Sequence, residues 1–287
     1  MQLIKTNMLT GQQIADCNAL HETCAAVDGL TAALSLDCSI NCDPALPAFY
    51  LQYEDNQLVS FLMIFMPNPS EAELFAMTLP SHRGQGCFSA LLHEASLELM
   101  QRGLSEALVQ CEPQSKAGIA VLGHLGGEYA FSEYTMYRQL EQEHVQEGTL
   151  MLKPANPDDL EVLSMLAGEI FEEDASVHRS WFGKSFASDE ISVLEAWQDG
   201  CRVGLCRVVW SDTPPNICTF GIHPAYRKQG FGEQFLRLLF GHIAAKGYAE
   251  AALDVNSENE AAFRLYQRMG FVIHAQVDYY ALPLLEG

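Results

Sequence analysis

The chain has 287 residues, 48% of them hydrophobic and 18% charged, and a formal net charge of −21. That length holds one large domain or two ordinary ones, and the composition excludes a disordered chain. Both halves are acidic, with 5 basic against 18 acidic residues in 1–147 and 11 against 19 in 148–287. This disfavours nucleic acid and membrane partners, and it suits solubility or a cationic substrate.

In chain order, the start MQLIKTNMLTG lacks the apolar core of a signal peptide. The nine cysteines include no CxxC pair. They read as reduced thiols of a cytoplasmic protein. Cys38 and Cys42 lie beside Asp43, but no second ligand pair follows, so no metal is expected. FLMIFM at 61–66 is far too short to span a bilayer and reads as a buried strand.

The rest of the first half is read through a repeat. At an offset of 144, Asp55 falls on Asp199, Val59 on Val203, Pro80 on Pro224, Arg83 on Arg227, Gly86 on Gly230 and Gly126 on Gly270. No gap is needed from Tyr53/Trp197 to Gly126/Gly270. Nearer the start the offset becomes 148, pairing Ile4-Lys5 with Leu152-Lys153. Two tandem domains of one fold are therefore expected, 1–144 and 145–287, joined by the acidic stretch EQEHVQEG at 141–148.

The second half shows the element order best. TLMLKP is a strand. NPDDLEVLSMLAGEIF is a helix with Asn156 or Asp158 as N-cap. ISVLEAWQDGCRVGLCRVVW is a hairpin about Asp199-Gly200. NICTFGIHP is a strand stopped by Pro224, and GFGEQFLRLLFGHIAAKG is an amphipathic helix closed by Gly247. AEAALDVN is a strand, NEAAFRLYQRMGF a short helix and VIHAQVDYYALPL the last strand. The order is β-α-β-β-β-α-β-α-β in each domain, an α/β (α+β) fold with a mixed sheet.

Between strand and helix lies AYRKQGFG. Gly230 and Gly232 permit positive φ and close backbone approach, and the N–H groups at the helix start, which lack intrahelical partners, favour an anion, ideally a pyrophosphate. Arg227 and Lys228 add positive charge. The Gly-Lys-Ser/Thr ending of a Walker loop and the GxGxxG spacing of a dinucleotide fold are both missing. Taken alone, the stretch is equally a glycine-bearing turn with surface basic residues.

Downstream, VNSENEAAFRLYQRMGF adds a second signal. The two stretches together resemble the GCN5-related N-acetyltransferase (GNAT) family. Arg227, Gly230 and Gly232 meet its Arg/Gln-x-x-Gly-x-Gly/Ala loop. Asn256, Asn259, Ala262, Leu265, Tyr266, Gly270 and Phe271 meet its Asn-x-x-Asn-x-x-Ala-x-x-Leu-Tyr-x-x-x-Gly-Phe motif. The resemblance implies acetyl-CoA as donor, with the amides of Gln229, Gly230, Phe231 and Gly232 on the pyrophosphate. It implies that the strand from Thr219 to His223 pairs with the pantetheine arm and that an amide near Ile222 polarises the thioester. Asn259 would bind the same arm, and Tyr266 would protonate the departing thiolate. The attacking amine must lose a proton, and the strand carboxylate many members use is missing here. Asp254 and His223 lie nearby, and the base stays unassigned.

The stretch FEEDASVHRSWF at 171–182 sits where acceptor recognition falls in the family. Glu172, Glu173, Asp174, His178 and Trp181 read either as selectors of a cationic amine or as a solvated helix end. In the first copy Phe88 stands for Gly232, Glu112 for Asn256, Ser115 for Asn259, Gly118 for Ala262 and Leu122 for Tyr266. Leucine donates no proton, so the first domain is expected to be non-catalytic. The tandem plan is similar to that of mycothiol synthases, in architecture only. The expectation is a small-molecule amine N-acetyltransferase, monomer or homodimer. A catalytically silent acyl-CoA-binding regulator is the alternative.

Overall fold

The computed structural model describes residues 1–39, 41–140 and 148–284. Apart from Gly148, the expected linker at 141–148 lies outside the described residues. The first half runs β1 (Gln2–Thr6), α1 (Gly11–Asp28), β2 (Phe49–Glu54), β3 (Gln57–Asn68), β4 (Glu71–Thr78), α2 (Cys87–Gln101), β5 (Glu106–Cys111), α3 (Lys116–His124) and β6 (Glu128–Gln139). The second runs β7 (Met151–Pro154), α4 (Leu160–Phe171), α5 (Ala175–Phe186), β8 (Ile191–Gln198), β9 (Cys201–Val209), β10 (Asn216–Ile222), α6 (Phe231–Ala245), β11 (Glu250–Asn256), α7 (Glu260–Arg268) and β12 (Val272–Pro283).

The repeat is visible in the local chemistry. Asp55 (φ 48°) and Asn56 (φ 65°) join β2 to β3, and Asp199 (φ 48°) and Gly200 (φ 82°) join β8 to β9. Two left-handed residues in a row match the right-handed twist of a hairpin. One element departs from the expected order: α5 follows α4 directly. The Asp174 carboxylate accepts the Ser176 N–H at 2.7 Å and starts this helix. Its scattered Ser, Gly and Lys blur the apolar stripe, although His178, Phe182 and Ser185 are buried.

The compact units do not follow a single cut at 144/145. One unit contains Met1–Glu133 together with the chain from Ala275, and the other contains Tyr134–His274. Each half thus contributes the later part of its last strand to the other half's unit. In the first unit the strands run β1-β2-β3-β4-β5-β12, with β12 antiparallel to β5 from Asp278↔Cys111 to Pro283↔Glu106. Leu282 and Leu284 are buried there against Ala107 and Val109. In the second unit the strands run β7-β8-β9-β10-β11-β6. Met136 is buried in its core, and the Leu140 N–H donates to the Ala249 carbonyl at 2.7 Å. Hydrophobic alternation tells a strand which face to bury, not which edge to join.

In the second unit α6 lays Phe235, Leu236, Leu239, Phe240 and Ile243 on one face of the sheet, against Val203, Cys206, Val208, Leu253 and Val255. Each such side chain, once buried, contributes about 1.5–3 kcal/mol. The opposite face takes α4 and α5, with Leu163, Ile170 and Phe182 on Val193 and Leu205. The first unit is built alike, with α2 on one face and α1 on the other. On the α1 face, Leu34, Leu36 and Cys38 from the stretch after α1 also pack down.

Candidate active site

β10 does not pair as a plain strand. Ile217 and Phe220, three positions apart, both pack in the core under α6, and the register with β9 shifts between Cys218 and Gly221. One extra residue is inserted, and Thr219 takes a left-handed φ of 49°. This is a β-bulge. Holding a β-branched residue there costs on the order of 1–3 kcal/mol. Gly221 follows because no side chain fits: an added Cβ would lie 2.3 Å from Ile170 Cγ2 and 3.0 Å from Phe171 Cζ. On its other side β10 pairs in parallel with β11 at Asn216↔Ala252 alone among the described residues. Beyond that apex the two strands splay apart, and the inner edge of β10 is left for another hydrogen-bonding partner.

The splay opens toward the loop at 223–230. Ala225 N–H donates to His223 Nδ1 (3.2 Å), so His223 Nε2 carries the proton and donates to Glu169 (2.7 Å). Both ring nitrogens are therefore engaged. Lys228 (φ 61°) and Gly230 (φ 79°) turn the chain into α6, whose start has no side-chain cap. The first intrahelical bond comes from Gln234 N–H to Gly230 O at 3.2 Å. The amides of Phe231, Gly232 and Glu233 thus precede the helix's own acceptors, and the helix dipole adds positive potential at that point. Gly232 allows a close approach to α7, since a Cβ there would lie 3.1 Å from Leu265 Cδ2.

Arg227 is occupied inside the protein. Its Nε donates to Ile222 O (3.0 Å) and its Nη2 to Ile170 O (2.6 Å), tying the loop to β10 and α4. Gln229 Nε2 donates to Ala225 O at 3.2 Å and holds the same turn. Asn256 Oδ1 accepts the Glu258 N–H (2.8 Å), and Asn259 Oδ1 caps α7 through the Ala262 N–H (3.1 Å). The motif asparagines thereby shape the exit from β11 while their amide nitrogens keep donor capacity.

Tyr266 is brought beside the bulge. It is 6% exposed, and its ring lies 6.2 Å from that of Phe220 and 5.9 Å from that of Phe271. Burial first, then the neighbouring Cys206, pushes its phenol above the ordinary tyrosine range. The group therefore stays protonated at neutral pH, as a proton donor requires. Asp254 lies on β11 just past the apex. It accepts Thr135 Oγ1–H (2.7 Å) and Asn216 Nδ2–H (2.9 Å), one bond on each oxygen. His178 on α5 is buried among Phe171, Trp181 and Phe182. It lies 3.1 Å from Glu173 without a hydrogen bond, and burial depresses its pKa against the opposing pull of Glu173.

A model of the acetyltransferase (GNAT) family matches residues 157–271. The mycothiol acetyltransferase of Nocardia farcinica is 26% identical, and the alignment covers 96% of each chain. The N-alpha-acetyltransferase RimI of Mycobacterium tuberculosis is 30% identical over 39% of this chain and 72% of its own length. The chain belongs to the GNAT acetyltransferase family. It is an acyltransferase. A solved tandem GNAT protein from the clavulanic acid biosynthesis pathway matches the fold over 100% of both chains, at 13% identity and a TM-score of 0.69. Acetyl-CoA is the cosubstrate of this family. No described helix is long and apolar enough to cross a membrane.

Within the GNAT fold the first unit keeps the loop and a capped last helix, with Ser115 in the place of Asn259, but not the tyrosine. Gly84 (φ 72°) and Gly86 (φ 82°) turn into α2, again without a side-chain cap. Arg83 plays the part of Arg227, donating to Thr78 O (3.2 Å) and gripping Asp28 with both terminal nitrogens (2.9 and 2.7 Å). Glu112, in the place of Asn256, accepts the Thr31 (2.7 Å) and Ala32 (3.1 Å) amides. Leu122, in the place of Tyr266, is core.

Two features escaped the sequence reading. Gly221 belongs to no motif, although glycine inside a strand is itself a signal for a bulge or a close approach. Arg207, on β9, carries no motif. Only the three-dimensional structure shows it half-buried beside Cys218, its register partner on β10.

Proposed function

We propose that the second unit binds acetyl-CoA in the β10/β11 splay and transfers the acetyl group to an amine. The observation that carries this is the bulged, one-sided edge of β10 leading into the uncapped start of α6. A strained Thr219 and a filled Gly221 contact are costly unless the edge they create is used. The fit is specific: an extended, amide-rich arm matches a strand edge, and a pyrophosphate matches helix amides beside a left-handed glycine. Acetyl-CoA supplies an electrophilic thioester carbon. The protein then needs a donor to the carbonyl oxygen, an acid for the sulfur and an acceptor for the amine proton.

Main-chain N–H groups at the bulge, near Ile222, serve as the first. Tyr266 is the acid. Its raised pKa keeps the proton in place until a thiolate develops beside it. For the amine proton we assign Asp254. It faces the splay just past the apex, and two neutral donors hold its carboxylate in place. His223 is the weaker candidate because both of its ring nitrogens are engaged. The first unit supports the second and does not take part in chemistry. At 26% identity the name of the full-length relative puts mycothiol chemistry on the acceptor panel without deciding it.

The test is release of free thiol from acetyl-CoA in the presence of an amine panel. Amine-dependent release above background supports the transferase. CoA binding with no release for any amine leaves a silent acyl-CoA-binding protein and removes the proposal.

A further inference from the structure

In this acidic chain Arg207 carries a charge that no described carboxylate answers. Arg207 is half-buried on β9, and its Nε is sealed from solvent with no hydrogen-bond partner. It forms no ion pair with a described residue, and its one electrostatic neighbour is the thiol of Cys218. Sixteen basic residues stand against thirty-seven acids in this chain. An arginine stays charged in any protein, and a desolvated charge without a partner is costly. Such a group is retained where something else supplies the anion.

Its position says what that is. Arg207 pairs in register with Cys218 on β10 and with Val193 on β8. Val193 and Leu205 lie under α4 and α5, so Arg207 is on that face, opposite α6. Cys218 is the last residue before the bulge. On the far side of Cys218 stands Asp254, two residues beyond the apex pair Asn216↔Ala252 and thus on the same face. Charge on Arg207, Asp254 and Asp212 all reaches the Cys218 thiol, which burial pushes up to about 12. The thiol therefore stays neutral. A row crosses the sheet at the closed end of the splay, with a cation at one end, a neutral thiol in the middle and carboxylates at the other.

We infer that Arg207 seats an anionic group, a carboxylate, carried by the same acceptor whose amine is placed on the Asp254 side. This rests on the transferase reading above and narrows its acceptor from a simple cationic amine to a zwitterion. Paired strands are about 4.8 Å apart, and among the described residues β10 and β11 pair only at the apex, so the two ends lie at least about 10 Å apart at the backbone before the arginine side chain shortens the gap. Amine and anion are then separated by several bonds, as in ω-amino acids or peptide-like acceptors. The planar fork of arginine suits bidentate carboxylate binding.

The experiment compares ω-amino acids of increasing chain length with their carboxamides, using thiol release from acetyl-CoA. The carboxylates are expected to exceed the matched amides in kcat/KM by about 10–100-fold at the best length. In Arg207→Met that ratio falls toward one, with Arg207→Lys intermediate. CoA binding reports that each variant is folded. In parallel, thermal unfolding is followed with glutarate added to the CoA-bound protein. Glutarate is expected to raise the midpoint of the wild type and not that of Arg207→Met. A carboxylate preference that survives Arg207→Met, or equal glutarate shifts in both proteins, overturns the inference. If no amine of either series is turned over while glutarate still protects only the wild type, the transferase reading falls and the anion seat stands.

Discussion

β4 and β10 occupy the same place in the two units, yet they pair differently. β4 follows β3 without interruption from Ser60↔Thr78 to Phe65↔Glu73. Its alternation is clean: Phe75 and Met77 face the α1 side, and Leu74 and Ala76 face the α2 side. β10 breaks its register, puts Thr219 in a left-handed conformation and places glycine where β4 has Met77. Both units retain an arginine strut and an uncapped helix start. A helix N-terminus alone is thus not what separates them. Nor is a splay, since among the described residues β4 pairs with β5 only at Glu73↔Leu108 and Leu74↔Val109. The difference lies in the bulge of β10 and in the tyrosine beside it. In the first unit the corresponding ground is used internally. Glu112 draws in the amides of Thr31 and Ala32, and Leu34, Leu36 and Cys38 cover the α1 face.

Five measurements break or sharpen that contrast. Tyr266→Phe removes the proposed proton donor, in whose place the first unit has Leu122. Turnover is expected to fall by about 10²–10⁴-fold with CoA affinity nearly unchanged. Unchanged turnover would take Tyr266 out of the mechanism. Gly221→Met gives β10 the residue that β4 carries. With a Cβ only 2.3 Å from Ile170 Cγ2, the change forces the bulge or α4 to move. A loss of about 1–3 kcal/mol in unfolding stability is expected, together with weaker CoA binding. Calorimetric titration should give one CoA per chain; a second equivalent of similar affinity would erase the distinction between the units.

Glu112→Ala leaves the Thr31 and Ala32 amides without their acceptor. A stability loss of about 1–3 kcal/mol is expected, read by denaturant unfolding, with the second unit's turnover intact. The smallest effect concerns pH. Burial raises the Tyr266 pKa, so the proton is kept as pH rises through the ordinary tyrosine value near 10. The kcat profile should therefore show no falling limb from this group below that pH. A fall abolished by Tyr266→Phe would show that the phenol ionises earlier.

Much of the candidate site was legible because its signals are local. Gly230 and Gly232 announce the turn, and the asparagines and Tyr266 keep fixed spacings on one strand exit and one short helix. What those residues do was less legible. Arg227 looked like a phosphate ligand and is a strut, because the carbonyls it binds, Ile170 and Ile222, come together only in the fold. The acids at 172–174 read either as an acceptor selector or as a solvated helix end. Glu172 forms the left-handed end of α4 and Asp174 caps α5, so two of the three shape the turn between helices. The second helix was hidden by its weak periodicity.

By itself the sequence determined that the chain is a duplicated mixed α/β fold with a glycine-bearing turn before a helix in each copy, and that the second copy alone keeps the tyrosine. These follow from spacing, and spacing survives without knowledge of partners. Only the tertiary structure decided where β6 and β12 pair, that β10 bulges at Thr219, and that Arg207 stands uncompensated beside Cys218. Each depends on which strand edge or charge comes to lie alongside. Residues far apart in the chain settle that, through the apolar area they bury and the hydrogen bonds they complete.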